Sequence, residues 1–340
     1  MFSRKLNILV TGANGQLGSY LVKHFRDRSM FKSSRINKVY GIDIDDLDIT
    51  SRCVVNKFFD GDVPLDKIDY VIHCAAATDT AAIEKDPNSY YAANCLGTRN
   101  LVEACAKHDI KFIFISTDYV LSELSPFDGD KLQEFPVNQY GLQKLIAEMF
   151  VKDAYKDRPK DYMVLRSSWM YGNSSKSFVE KFLVNAFTAY SKIVENCATP
   201  AIVKVADDVY GRPTPVWFIV DSIESFIHNR LYGTYDLQYP TKQISRFDWA
   251  TMIWNAFIDC SNDCNEETAG IARALKDHVK VVPCKSCEFG PGMKHPGEVM
   301  NSTSMIPHEQ DMYMSDTTWY VHKNWNKYID MAKDIIGKKA

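Results

Sequence analysis

No apolar run in this chain reaches the ~18 residues of a membrane-spanning helix, so no such helix is expected. An excess of either charge is also missing. Forty Lys and Arg stand against 43 Asp and Glu, a net charge of −3, and the two signs are interspersed. That pattern gives neither a nucleic-acid footprint nor a polybasic membrane surface. No internal repeat or low-complexity segment appears, which sets aside solenoids and disordered arrays. Met1 to Leu6 lead straight into a strand-like run without a signal-peptide pattern. The nine cysteines make an odd number, and most lie in apolar segments (Cys74, Cys95, Cys105), as buried free thiols do. A reducing, cytoplasmic compartment is expected. Cys260 and Cys264, then Cys284 and Cys287, raise the question of zinc, but the Cys-x-x-x-Cys of the first pair is a poor knuckle and the segment lacks the glycines of a zinc ribbon. Unrelated thiols and no metal are the expectation.

What is present is an ordinary globular composition, and 340 residues can hold one large or two modest domains. Leu6–Val10 reads as a buried strand. It runs through Thr11, Gly12, Ala13, Asn14, Gly15, Gln16, Leu17 and Gly18 into an amphipathic helix ending near Arg28. Glycines let the backbone turn tightly and approach a pyrophosphate, and the helix start offers free N–H groups with partial positive charge. A second strand, Lys38–Asp43, ends in an acid placed to accept hydrogen bonds from adenosine ribose hydroxyls. Asp43 would repel a 2′-phosphate. This favours NAD(H) and leaves NADP(H) open should Arg35 or another cation compensate. Phe58–Asp62 reads as a short strand and turn, with Asp62 a candidate for the adenine amino group. After the strand Asp69–Cys74, the small residues Ala75, Ala76 and Ala77 leave room for a flat cofactor. His73 within that strand reads as a satisfied core histidine.

Asn88–His108 reads as one long helix. Lys111–Ile115 is a further strand, ending in Ser116, Thr117, Asp118 and Tyr119. Alternating strands and helices imply an α/β fold, a Rossmann-type doubly wound parallel sheet whose ligands sit at the carboxyl ends of the strands. Residues 121–137 form a polar loop able to cover a site. The next helix places Tyr140 and Lys144 one turn apart on one face. An ammonium beside a phenol favours the phenolate, which suits proton transfer to a reduced carbonyl. Residues 1–166 are assigned to the dinucleotide domain, with segments around 202–237 returning to it. Residues 167–340 are assigned mostly to a smaller, mixed substrate lobe, including an unassigned insert at about 260–310.

Taken together, these residues resemble the extended short-chain dehydrogenase/reductases, and within them the dTDP-4-dehydrorhamnose reductase family. The resemblance runs from about Leu6 to Leu237. It is carried by Thr11–Gly18, Ser116–Val120, Tyr140-Gly141-x-x-Lys144, Leu165–Gly172 and Gly211–Thr214. It implies NAD(P)H-dependent reduction of the C4 keto group of a nucleotide-linked 4-keto-6-deoxy sugar. Thr117, Tyr140 and Lys144 would form the catalytic triad. Asp118, Tyr119 and Trp169 would line the sugar pocket, and Arg212 would meet the diphosphate. The implied partner is the nucleotide sugar, with homodimerisation left open.

Chemistry separates the subfamilies. The 4,6-dehydratases need an acid/base pair after the Thr, where this chain has Asp118-Tyr119. The 4-epimerases keep small residues there so that the sugar can rotate, and Tyr119 is bulky. GDP-fucose synthase-like enzymes carry a Cys just after the Ser or Thr, and none lies between Ser116 and Val120. Simple 4-keto reduction remains, with epimerase or dehydratase action the alternative. Leu121-Ser122-Glu123 replaces the family's usual Phe-Asp-Gly. The family's Arg-Pro has His295-Pro296 as its counterpart, after an expanded region. A UDP-linked or N-acetylated sugar therefore stands beside the dTDP-linked one. A rival of another class is a non-catalytic regulatory subunit of the methionine adenosyltransferase beta type, which resembles these reductases.

Overall fold

The computed structural model describes residues 4–31, 34–62, 67–121, 134–172, 177–193, 200–260, 266–290 and 315–337. Most of the expected covering loop, Cys264, His295-Pro296 and the side chain of Asp62 lie outside the described residues.

The chain begins β1 (Leu6–Thr11), α1 (Gln16–Ser29), β2 (Ile36–Ile42), α2 (Arg52–Lys57), β3 (Tyr70–His73), α3 (Thr80–Lys85), α4 (Pro87–Tyr91) and α5 (Thr98–Lys107). It continues with β4 (Lys111–Thr117), α6 (Gln139–Ala154), β5 (Tyr162–Ser167), β6 (Met170–Tyr171), α7 (Phe178–Ile193), β7 (Ala201–Ala206), β8 (Tyr210–Gly211) and β9 (Thr214–Pro215). Next are α8 (Val216–Asn229), β10 (Gly233–Asp236), β11 (Ile244–Ser245), α9 (Arg246–Asp259), α10 (Glu266–His278), β12 (Val279–Cys284), α11 (Ser315–Lys323) and α12 (Trp325–Gly337). Two compact units result. Among the described residues, one takes 4–168 and 214–238; the other takes 169–213, 239–290 and 315–337.

The first unit holds a six-stranded sheet in the order β10-β5-β4-β3-β1-β2, parallel throughout. β1, β3 and β4 are buried along nearly their whole length, as apolar runs covered on both faces must be. The strand order reverses between β1 and β3, so the crevice for a dinucleotide opens at their carboxyl ends. The sheet is reached by β10 alone from the segment expected to return. β7 pairs instead with β12 in the second unit, in parallel register from Ala201↔Val279 to Ala206↔Cys284.

Two local expectations need correction. Phe58–Asp62 is a π-helical turn closing α2, with both phenylalanines packed on the core, and it adds no strand to the sheet. The expected single helix from Asn88 is α4 and α5 joined through another π-helical turn, Ala92–Gly97. Its buried Asn94 bonds the neighbouring loop at Ala77.

The core of the second unit is strongly aromatic. Ser245 caps α9 in a reciprocal box with Asp248, fixing where the helix starts. The helix then buries Trp249, Ile253, Trp254 and Phe257. Trp249 stacks on Phe178 at 4.8 Å and on Trp169 at 5.4 Å between ring centroids.

Candidate active site

The corner between β1 and α1 is built from backbone. Gly12 has φ +67°, and a Cβ there would lie 2.7 Å from the Ala75 nitrogen. A Cβ on Gly18 would lie 2.1 Å from the Gly12 carbonyl oxygen. A larger residue at Gly12 would run into the end of β3, and one at Gly18 would push α1 off the turn. Helix α1 starts after Gly15 with no side-chain cap and no acid in its first turn. Its positive end therefore suits a pyrophosphate. Gly12 to Gly18, including Asn14, Gln16 and Leu17, thus form a cradle that fits a dinucleotide's phosphates.

Asp43 follows the end of β2, and its Oδ2 accepts the Asn14 N–H at 2.8 Å. The acid expected at the ribose is therefore tied to the phosphate turn. Arg35 precedes the start of β2 and donates to the His228 carbonyl at 3.2 Å. Eight strand steps put it roughly 25 Å from Asp43, which rules it out as a partner for a 2′-phosphate there.

Ala75, Ala76 and Ala77 leave the end of β3. The Asn94 side chain holds Ala77 from both sides, accepting its N–H at 2.8 Å and donating to its carbonyl at 3.2 Å. Asn94 also donates to Gln143 Oε1 at 2.9 Å, linking this loop to α6. His73 is buried between two hydroxyls. Thr11 Oγ1 donates to Nδ1 at 2.7 Å, and Nε2 donates to Thr98 Oγ1 at 3.0 Å, whose own proton goes to the Asn94 carbonyl. Burial, aided by the Lys144 charge, pushes its pKa down to about 3. His73 is thus a neutral tie in the core.

Thr117, Asp118, Tyr119, Tyr140 and Lys144 come together at the end of β4. Thr117 Oγ1 donates to Asp118 Oδ1 at 3.2 Å and accepts the Tyr119 N–H at 3.3 Å. Tyr140 shares a hydrogen bond with Thr117, and its ring meets Tyr119 edge-on at 5.9 Å. Asn138 caps α6 by accepting the Gly141 N–H at 2.8 Å. A Cβ at Gly141 would lie 2.1 Å from the Tyr119 carbonyl oxygen, so the glycine after Tyr140 is what lets the helix dock on this turn.

The electrostatics depart from the simple picture of an ammonium against a phenol. Lys144 is buried, donates to the Ile115 carbonyl at 2.6 Å and lies 4.0 Å from the centre of the Phe114 ring. Burial pushes its pKa down to about 8. Burial also raises the Tyr140 phenol, with Tyr119 and Asp118 adding to the effect and the Thr117 hydrogen bond opposing it. In this state Tyr140 is firmly protonated, the form that a proton donor requires.

Trp169 and Arg212 belong to the second unit. Trp169 is buried in that unit's core, stacked on Trp249, with the Arg246 guanidinium 3.8 Å from its ring centre. Arg212 is half-buried, which pushes its pKa down.

Sequence reasoning passed over Asn94, Gln143 and Glu148. A mid-helix Asn was the one available signal, since Asn is a poor helix residue unless its side chain has a task.

A six-stranded parallel sheet with a glycine-built phosphate corner and a Tyr–Lys helix on its carboxyl edge is the architecture of an extended short-chain dehydrogenase/reductase. Residues 6–316 match the RmlD substrate binding domain family, and the chain belongs to that family. A dTDP-4-keto-6-deoxy-D-glucose reductase from Streptomyces niveus is 29% identical over 234 residues, covering 67% of this chain and 70% of the relative. A dTDP-4-dehydrorhamnose reductase from Mycolicibacterium smegmatis is 36% identical over 177 residues, about half of each protein (51% and 48%). Among solved structures, a dTDP-4-dehydrorhamnose reductase from Bacillus anthracis in complex with NADP aligns with TM-score 0.63 and 28% identity, covering 86% of this chain and 88% of that one.

Proposed function

We propose that this protein is an NAD(P)H-dependent oxidoreductase that reduces the C4 keto group of a nucleotide-linked 4-keto-6-deoxy sugar. The observation carrying the reading is the joint placement of Thr117, Tyr140 and Lys144 in the unit that also holds the open phosphate corner. The names of the relatives support the same reaction class.

The bound nicotinamide supplies the hydride. Gly12–Gly18, Asp43 and Ala75–Ala77 would hold the cofactor, and the uncapped start of α1 would carry its phosphates. Tyr140 gives its proton to the oxygen that becomes an alkoxide at C4. Thr117 hydrogen-bonds the same oxygen, stabilising charge that develops only in the transition state. An ammonium has three donors. Lys144 would thus have N–H groups left for the nicotinamide ribose while keeping its bond to Ile115. Its charge would stabilise the phenolate left when Tyr140 gives up its proton. Asp118 and Tyr119 would contact the sugar, and the bulk of Tyr119 favours reduction over rotation of the ring. Trp169 and Arg212 are proposed for the sugar and diphosphate. NADH is the preferred reductant in this reading. Asp43 would accept from the adenosine ribose hydroxyls and repel a 2′-phosphate, and Arg35 is too distant to compensate.

The test is turnover with each reduced cofactor across dTDP-, UDP- and GDP-linked 4-keto-6-deoxy sugars. Oxidation of NADH with at least one sugar is expected. Inertness across the whole panel would leave the regulatory reading in its place. A much tighter NADPH than NADH complex would show the assignment of Asp43 to be mistaken.

A further inference from the structure

Three successive turns of α6 each deliver a side chain to the end of β4. Tyr140 reaches Thr117, Lys144 reaches the Ile115 carbonyl, and Glu148 accepts from Ser116 Oγ at 2.6 Å. The mechanism above uses the first two and leaves the third without a task. Glu148 is wholly buried. Arg166 on β5 grips it bidentately, Nε to Oε1 at 2.9 Å and Nη2 to Oε2 at 2.6 Å, and also bonds Glu134. Burying an ionised carboxylate is costly even when paired, and a Met in its place would pack without that cost. Packing alone therefore does not account for it.

We propose that Glu148 is a positioning residue for the reaction: through Ser116 and Arg166 it fixes the ends of β4 and β5, and it sets its carboxylate one helical turn along α6 from Lys144. The groups facing Glu148 are Lys144 and Lys152 on its own helix, Arg166 on β5, Asp236 on β10, and Glu134 ahead of α6. Those around Lys144 are Glu148, His73 and Cys74 at the end of β3, and Cys95 in the π-helical turn. Burial drives the Lys144 ammonium toward losing its proton. Glu148 is the largest influence against that loss, ahead of Cys74 and Cys95. The inference rests on the proposed role of Lys144 in holding the cofactor.

The experiment is trace acetylation of Lys144 with acetic anhydride across a pH series, read by peptide mass spectrometry, alongside the pH profile of kcat. It compares the wild type with Glu148→Gln and Glu148→Asp. In Glu148→Gln the labelling midpoint should fall by about one pH unit, because a nearby opposite charge has been removed. The alkaline limb of kcat should fall with it, so that the loss of activity grows as pH rises. Glu148→Asp should restore most of both. Should Glu148→Gln fail to fold, the double variant Glu148→Gln/Arg166→Met leaves no unpaired guanidinium, and the same direction of shift is expected. An unchanged midpoint, or a loss of activity equal at every pH, overturns the inference. Labelling needs no turnover. A wild type inert toward every sugar would thus remove the reductase reading alone, while an unchanged midpoint in an active enzyme would remove this one.

Discussion

Where β1 turns into α1, the site surface is backbone: Gly12 and Gly18 leave no room for a Cβ, and the helix start is left uncapped. Where β4 meets α6, the surface is buried polar side chains: Thr117, Tyr140, Lys144, and Glu148 beneath them. Both corners lie on the carboxyl edge of one sheet, yet they are vulnerable to different things. The first fails by added volume and has no titrating group in its turn. The second depends on which groups hold protons. A nucleotide's phosphates keep their charge throughout the reaction, so fixed N–H groups serve them. A carbonyl becomes an alkoxide and then a hydroxyl, so the group facing it must be able to part with a proton.

The largest effect should come from the second corner. Tyr140→Phe keeps the ring that meets Tyr119, so folding and cofactor binding should survive, while kcat drops about 10³-fold. Full activity in that variant would remove Tyr140 from the mechanism. At the first corner, Gly18→Ala should cost about 2–3 kcal/mol through overpacking, together with most cofactor affinity. The deficit should be the same at every pH. Chemical denaturation and cofactor titration read it, and a deficit that varied with pH would blur the contrast between the corners.

Between the corners lies His73, neutral in the folded state with its pKa pushed to about 3. The unfolded chain binds this proton below its ordinary value near 6.5, so the unfolded state gains protons first as pH falls. Stability should therefore decline from about pH 6.5 downward, by roughly 2.5 kcal/mol over two pH units from this group. His73→Gln, compared by denaturant unfolding at both pH values, should flatten that slope. A slope unchanged by the substitution would place the acid sensitivity elsewhere. The smallest effect should be Asp43→Asn, which removes the charge proposed to face the ribose and should shift the NADH-to-NADPH affinity ratio about tenfold toward NADPH. A ratio that stays put would mean that Asp43 serves the Asn14 turn alone.

The two corners also differ in how openly the chain displays them. Glycines record a steric demand directly, so Gly12, Gly15 and Gly18 announce a tight strand-to-helix turn on sight. Tyr140 and Lys144 show through their spacing, since one turn of helix fixes which side chains share a face. What surrounds them does not show. That Lys144 would lie against the Ile115 carbonyl and Phe114, or that Glu148 would meet Ser116 and Arg166, depends on pairing between distant segments, and no local period encodes it. The parallel sheet follows from the alternation of strands and helices. The π-helical turn at Ala92–Gly97 is hidden because one extra residue barely alters an apolar stripe. Phe58-Phe59 misleads as a strand because short apolar runs fit either period. β7 looks like a further strand of the main sheet, and only its partner, β12, inside the least legible stretch, says otherwise.

The central claim is that hydride reaches the C4 carbonyl of a nucleotide sugar while Tyr140 supplies the proton. The most direct test is to supply NADH deuterated at the transferring position together with a dTDP-linked 4-keto-6-deoxy sugar, and to locate the label in the product by NMR. One deuterium at C4, with Tyr140→Phe forming that product about 10³-fold more slowly under the same conditions, is the expected result. Deuterium retained entirely on the cofactor while the wild-type protein converts the sugar would contradict the account.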